Sequence, residues 1–130
     1  MGNLFSRTVS INLHSLNPDD YKFPFRDIKE ARIYNAYDAD TLYMLFNFNG
    51  SPMAFSLRID GVDAPEIRSH NAQLKQKAIE GRDYVRRLLV DNIHNVVLRK
   101  WDKYAGRIVG DVYWQHNLTG ELIYLSEELI

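Results

Sequence analysis

Asp38-Ala39-Asp40-Thr41, an alternating run to Phe48, Asn49-Gly50, a second alternating run carrying Arg58, then Asp63-Ala64-Pro65-Glu66: this stretch decides how the chain folds. After Thr41, Leu42, Met44, Phe46 and Phe48 fall on one face and Tyr43 and Asn47 on the other, the period of a half-buried strand. Asn49-Gly50 reverses the chain, because both residues tolerate positive φ and such a pair between two alternating runs is a strong hairpin signal. In the returning strand Met53, Phe55, Leu57 and Ile59 share one face, leaving Ser56, Arg58 and Asp60 on the other. Pairing about a loop of about two to four residues sets Asp40 opposite a position between Ile59 and Gly61, with Arg58 a residue or two further in. Asp63 and Glu66 then emerge at the same end of the hairpin.

Carboxylates gathered at one point repel, and burying them unpaired is costly. Such a cluster either holds a cation or is a solvated hairpin end, since acidic residues are common at turns. Spacing alone leaves both readings open.

Three blocks, Asp38-x-Asp40-Thr41, Arg58 followed by Asp63-x-Pro65-Glu66, and Asp102-Lys103-Tyr104-Ala105-Gly106-Arg107, carry a resemblance. In order and spacing the chain resembles the staphylococcal nuclease (thermonuclease-like) family over roughly residues 31 to 129. The resemblance implies a β-barrel with helices (α+β): an OB-fold five-stranded barrel, one long helix between strands 3 and 4, and a short C-terminal helix. It implies a metal-dependent, sequence-tolerant endonuclease acting on single-stranded DNA or RNA, with 5′-oxygen departure and 3′-phosphate products.

On the same resemblance, Asp40 and Asp63 are hard oxygen ligands for Ca²⁺, or Mg²⁺, joined by the backbone carbonyl of Ala64. The family usually has threonine at that place; a carbonyl ligand is preserved by alanine. Glu66 accepts a proton from, or orients, the attacking water. Arg58 and Arg107 fork onto phosphate oxygens. Lys103 and Tyr104 match loop residues that contact nucleotide phosphate, and Tyr104 could instead stack on a base. For each residue the plainer role is an ordinary salt bridge or surface contact. Ala105 is an insertion relative to the family loop; it is absorbed as a bulge or longer loop, or it turns Arg107 to the other face.

With 130 residues, 45% hydrophobic and 25% charged, the chain has enough apolar sequence for one globular domain with a single core. It has no cysteine, which excludes disulfides and thiolate metal sites. His14, His70, His94 and His116 are scattered without ligand spacing and read as surface or structural residues. A net charge of -1 argues against a polyanion partner, but residues 68–107 hold ten Lys or Arg against four acids, a local +6. That segment either steers phosphate toward the acidic hairpin end or is a solvated helix face.

Residues 1–28 read as an N-terminal extension and 29–130 as the nuclease-like domain. Met1-Gly2-Asn3-Leu4-Phe5-Ser6 fits the pattern for N-myristoylation at Gly2. A single acyl chain gives only weak, reversible membrane association, and Arg7 is the one base before Lys22 to assist it. No apolar run reaches signal-peptide or membrane-spanning length, so the expectation is an intracellular protein, unlike the secreted family members. Tyr21, Phe23 and Phe25 are expected to pack back on the domain; the alternative is a partner- or substrate-binding arm.

Downstream, a first strand is expected over 31–37 and a helix from Ser69 or Asn71 to 90. Leu74, Ala78, Gly81, Val85 and Leu88 form its apolar stripe, with Lys75, Arg82 and Arg86 on the polar face. Further strands follow over 95–101 and 107–114, and Ser126-Glu127-Glu128 suggests a helix start. Asn117-Leu118-Thr119 reads as a turn. Two other functions fit the pattern: a catalytically weak or inactive module binding nucleic acid or protein, and a myristoylated interaction protein using the fold as scaffold. Inactive modules usually lack the acidic set, whereas this chain keeps Asp40, Asp63 and Glu66.

Overall fold

The computed structural model describes residues 10–21, 23, 25–102 and 107–129. Gly2, Lys103, Tyr104 and Ala105 lie outside them.

Asn49 and Gly50 take φ of 51° and 89°, the left-handed pair that a two-residue hairpin turn requires. They join β2 (Thr41–Phe48) to β3 (Ser51–Ile59) in an unbroken register from Phe48↔Ser51 to Thr41↔Arg58. The inward set is as parity demands: Leu42, Met44, Leu57 and Ile59 are fully buried. β1 (Asp27–Asp38) lies between β2 and β4 (Ile93–Asp102), and β5 (Arg107–Gln115) runs antiparallel to β4. β5 then closes the sheet by pairing parallel with β3, from Leu57↔Ile108 to Ile59↔Gly110. The result is a closed five-stranded barrel in the order β3-β2-β1-β4-β5, which leaves few free sheet edges. Its core is a single cluster including Ile33, Leu42, Met44, Leu57, Val85, Leu89, Val96, Ile108 and Val112.

β1 begins at Asp27, four residues before the expected start. Its register with β4 slips between Ile28 and Ala31, and Asp27, Lys29 and Glu30 are exposed, so no clean alternation marks those residues. A short strand, β6 (Leu122–Tyr124), was not expected and pairs with the end of β5. Three residues are too few to show a period. Phe23 and Phe25 pack against the core, Phe23 stacking on Phe48 at 5.4 Å, but Tyr21 is 67% exposed and does not. Residues 117–119 form the expected turn, held by His116 Nδ1 accepting from the Leu118 and Thr119 amides.

α1 (Ala72–Leu89) follows β3. Asn71 is its cap: the side chain accepts from the Gln73 and Leu74 amides at 2.9 and 3.1 Å, groups the helix cannot pair itself. The buried line is Ala78, Val85 and Leu89. Leu89, four residues after Val85, goes deeper than the expected Leu88, and Leu74 is 45% exposed, as residues 72–77 all face solvent. Arg86 leaves the solvated face and donates from Nε and Nη2 to the Ala36 carbonyl, tying α1 to β1. No described helix is long and apolar enough to cross a membrane. A short helix, α2 (Leu125–Glu128), follows β6 directly and buries Leu125.

Candidate functional site

The register of three ladders builds the site. The Ile59 amide donates to the Asp40 carbonyl at 2.8 Å, so Asp40 stands opposite Ile59, at the edge of the expected place, and Thr41 pairs with Arg58. Arg58 pairs on its other side with Val109, Val109 with Lys100, and Arg107 with Asp102. Since paired residues point the same way, Arg58, Val109 and Lys100 form a row across β3, β5 and β4 on the outer barrel face. Arg107 and Asp102 lie two residues along the same face.

Arg58 is the hub. Its Nη1 lies 3.1 Å from Asp40 Oδ2 and its Nη2 3.8 Å from Asp63 Oδ1. Nη1 also donates to the Ile59 carbonyl at 3.1 Å and to the Val62 carbonyl. These bonds hold the guanidinium against the loop that follows β3, where Gly61 takes a φ of 76°. Asp40 is 6% exposed, and Oδ2 also accepts from the Ala64 amide at 2.9 Å. Among the described residues its other oxygen accepts only from the Thr41 hydroxyl, at 3.3 Å. Asp63, by contrast, has a fully exposed carboxylate.

Arg107 faces this same side. Its Nη2 pairs with Asp102 Oδ2 at 2.6 Å and its Nη1 reaches the Thr41 hydroxyl at 3.4 Å, while Nε is buried with no hydrogen-bond partner among the described residues. Of the two outcomes open for the Ala105 insertion, Arg107 therefore takes the one that keeps it on the face of Arg58. Lys103 and Tyr104, the expected phosphate contacts, lie outside the described residues.

Glu66 is exposed and takes no ion pair with Arg58 or Arg107. Its loop is tied down one residue later, where the Ile67 amide donates to Asp38 Oδ1 at 3.2 Å. Asp38 is buried, and desolvation holds its carboxyl above the ordinary carboxylate range; the Ile67 amide opposes this, and the charges of Asp40 and Glu66 reinforce it. No role was read for Asp38 from the sequence, although it heads the first motif block. Its position two residues before Asp40 was the available signal.

The hairpin thus brings Asp40, Asp63 and Arg58 together, sets Arg107 beside them through Thr41, and leaves Glu66 at the margin. Among the described residues no three His, Asp or Glu are close enough to share a metal ion. What is present still suits a hard cation: Asp40 has an oxygen bearing one hydroxyl donor, Asp63 has a fully exposed carboxylate at 3.8 Å from Arg58, and Ala64 with its carbonyl follows Asp63 directly in sequence. A groove of about 810 Å³ opens over this face, lined by Arg58, Asp60, Asp63, Lys100, Asp102 and Val109 among others. Guanidinium groups partly withdrawn from water beside an open groove can bind and polarise an oxyanion such as a phosphate.

A family model described as staphylococcal nuclease homologue matches residues 56–130. The match takes in Arg58, Asp63, Ala64, Glu66 and Arg107 and begins downstream of Asp40, which joins them in space through Arg58. No curated protein matches the chain.

Proposed function

The chain belongs to the staphylococcal nuclease family, and from that premise we propose that it is a metal-dependent endonuclease cutting single-stranded DNA and RNA with little sequence preference. The observation that carries the reading is the meeting of Asp40, Arg58 and Asp63 at one point of the barrel surface. Ca²⁺, or Mg²⁺, would be held by the carboxylates of Asp40 and Asp63 and the carbonyl of Ala64, and when bound supplies charge neutralisation beside the phosphoryl group.

The chain's own groups do the rest. Arg58 and Arg107 donate to the non-bridging phosphate oxygens, and their hold strengthens as charge accumulates on them. Glu66, exposed on the loop that follows Asp63, accepts a proton from the attacking water or orients it. The new P–O bond forms as the P–O5′ bond breaks, and the departing 5′-oxygen takes up a proton. One fragment ends in a 3′-phosphate and the other in a 5′-hydroxyl. Lys103 and Tyr104 would add contacts to the nucleotide phosphate. Recognition through phosphates explains tolerance of sequence, because phosphates carry no base information.

End-group analysis of cleaved oligonucleotides tests this course of reaction. The expected products carry 3′-phosphate and 5′-hydroxyl ends and form only when divalent cation is present; 5′-phosphate ends, or cleavage persisting in chelator, would overturn it.

A further inference from the structure

We propose that Lys100 is a second phosphate-binding residue, which holds the nucleotide next to the one cleaved; the inference rests on the nuclease reading above. It begins with a break in the β4–β5 ladder. The register shifts between Leu98 and Lys100, so that Leu98 pairs with Gly110 and Lys100 with Val109, leaving Arg99 as the extra residue of a bulge. An unbroken ladder continuing from Leu98 would set Arg99 opposite Val109 and turn Lys100 inward. The bulge instead brings Lys100 onto the face of Arg58 and turns Trp101 toward the inward side with its partner Ile108.

The geometry suits a second anion. Lys100 and Arg58 flank Val109, one strand away on either side, so their backbones are roughly 10 Å apart across the groove. A lysine arm from that distance reaches a phosphate neighbouring the one held by Arg58. Both residues line the same groove.

Charge bookkeeping singles out Lys100. Arg58 is committed to Asp40 and Asp63, Arg107 to Asp102, and the bulged Arg99 reaches Asp60 at 3.6 Å. Lys100 is exposed and makes no ion pair among the described residues. Among the described residues it is the groove cation that can meet a phosphate without first releasing a carboxylate. A compact, mobile ammonium suits a point contact to a flexible strand, whereas the forked arginines suit the phosphate undergoing reaction.

The test measures binding of fluorescein-labelled oligothymidylate to the 130-residue Glu66→Gln protein in Ca²⁺ over a range of salt. Adding Lys100→Ala is expected to weaken binding several-fold and to lower the slope of log affinity against log salt by about 0.7, the value for one single-strand phosphate contact. Lys100→Arg should restore both. In otherwise wild-type protein, Lys100→Ala should raise KM several-fold with kcat within about twofold, as expected for a contact equally strong in ground and transition states. Lys77→Ala on α1, an equal change of charge at an exposed position away from the groove, should leave the slope alone. An unchanged slope for Lys100→Ala, or an equal fall for Lys77→Ala, overturns the inference while the nuclease reading stands. Absence of oligothymidylate binding by the Glu66→Gln parent overturns both.

Discussion

Asp40 and Asp111 are almost equally withdrawn from water, 6% and 2% exposed, yet their carboxylates have different surroundings. Asp111 accepts from the Val112 amide at 2.9 Å, from the Ser126 amide at 3.1 Å, and from the Ser126 hydroxyl. All three donors are neutral, and two of them belong to the first turn of α2, so the carboxylate pins that helix to β5. Asp40 also accepts from a backbone amide and a hydroxyl, but its Oδ2 faces Arg58, which in turn faces Asp63 and an open groove. Both aspartates satisfy the rule that buried polar groups are paired. Burial therefore does not distinguish the two aspartates; a cationic partner and a route to solvent do.

The contrast fails most visibly if the residues assigned to the chemistry prove dispensable. Arg58→Ala and Glu66→Gln are each expected to slow cleavage at least tenfold in folded protein; for Arg58, loss of one preorganised donor corresponds to about 2–4 kcal/mol of barrier. Single-turnover rates, with circular dichroism to confirm folding, check both. Near-wild-type rates would remove the residue concerned from the chemistry.

Next in size is the exchange of the two aspartates' roles. Asp111→Ala leaves the Ser126 amide and hydroxyl without their acceptor, and should lower stability by about 1–3 kcal/mol in urea denaturation while cleavage continues. Asp40→Asn keeps an acceptor for the Ala64 amide and removes the charge. It should reduce cleavage at least tenfold with a stability change of about 1 kcal/mol or less. The reverse pattern would mean that the two carboxylates had been assigned the wrong way round.

The smallest effect concerns His94. Burial lowers its pKa below the ordinary 6.5, although its contact with the Leu89 carbonyl at 3.2 Å opposes the shift. The unfolded chain therefore binds this proton more readily than the folded one, and stability falls as pH drops from 6.5 toward the lowered folded value. Above pH 6.5 this contribution is fully present. His94→Gln should flatten that part of the stability profile, as followed by thermal melts across the range; an unchanged profile would assign the acid sensitivity to other groups.

What could be read from the chain in advance follows from how locally it is encoded. Asn49-Gly50 and the alternation on either side specified the hairpin, its inward face and the side of Arg58 without knowledge of any other strand. The meeting of Asp40, Arg58 and Asp63 followed from that one hairpin. The shift from Leu88 to Leu89 and the return of Arg86 to the Ala36 carbonyl depend on how α1 lies on the barrel, which a helical period alone does not define. The bulge at Arg99 leaves no periodic trace, so the aim of Lys100 was invisible. The bonds from Ser126 to Asp111 span 15 residues and join two segments whose local patterns give no hint of each other. At the site, the side taken by Arg107 depended on the β4–β5 register after an inserted residue, and local spacing left it open.

The most direct test of the central claim is cleavage of single-stranded DNA by the purified chain in chelator, Ca²⁺ and Mg²⁺, with Glu66→Gln prepared alongside. Cleavage that needs divalent cation and falls at least tenfold in Glu66→Gln is the predicted result. Tight binding of the strand without cleavage under every condition would contradict it, and would make this barrel a nucleic-acid-binding module rather than an enzyme.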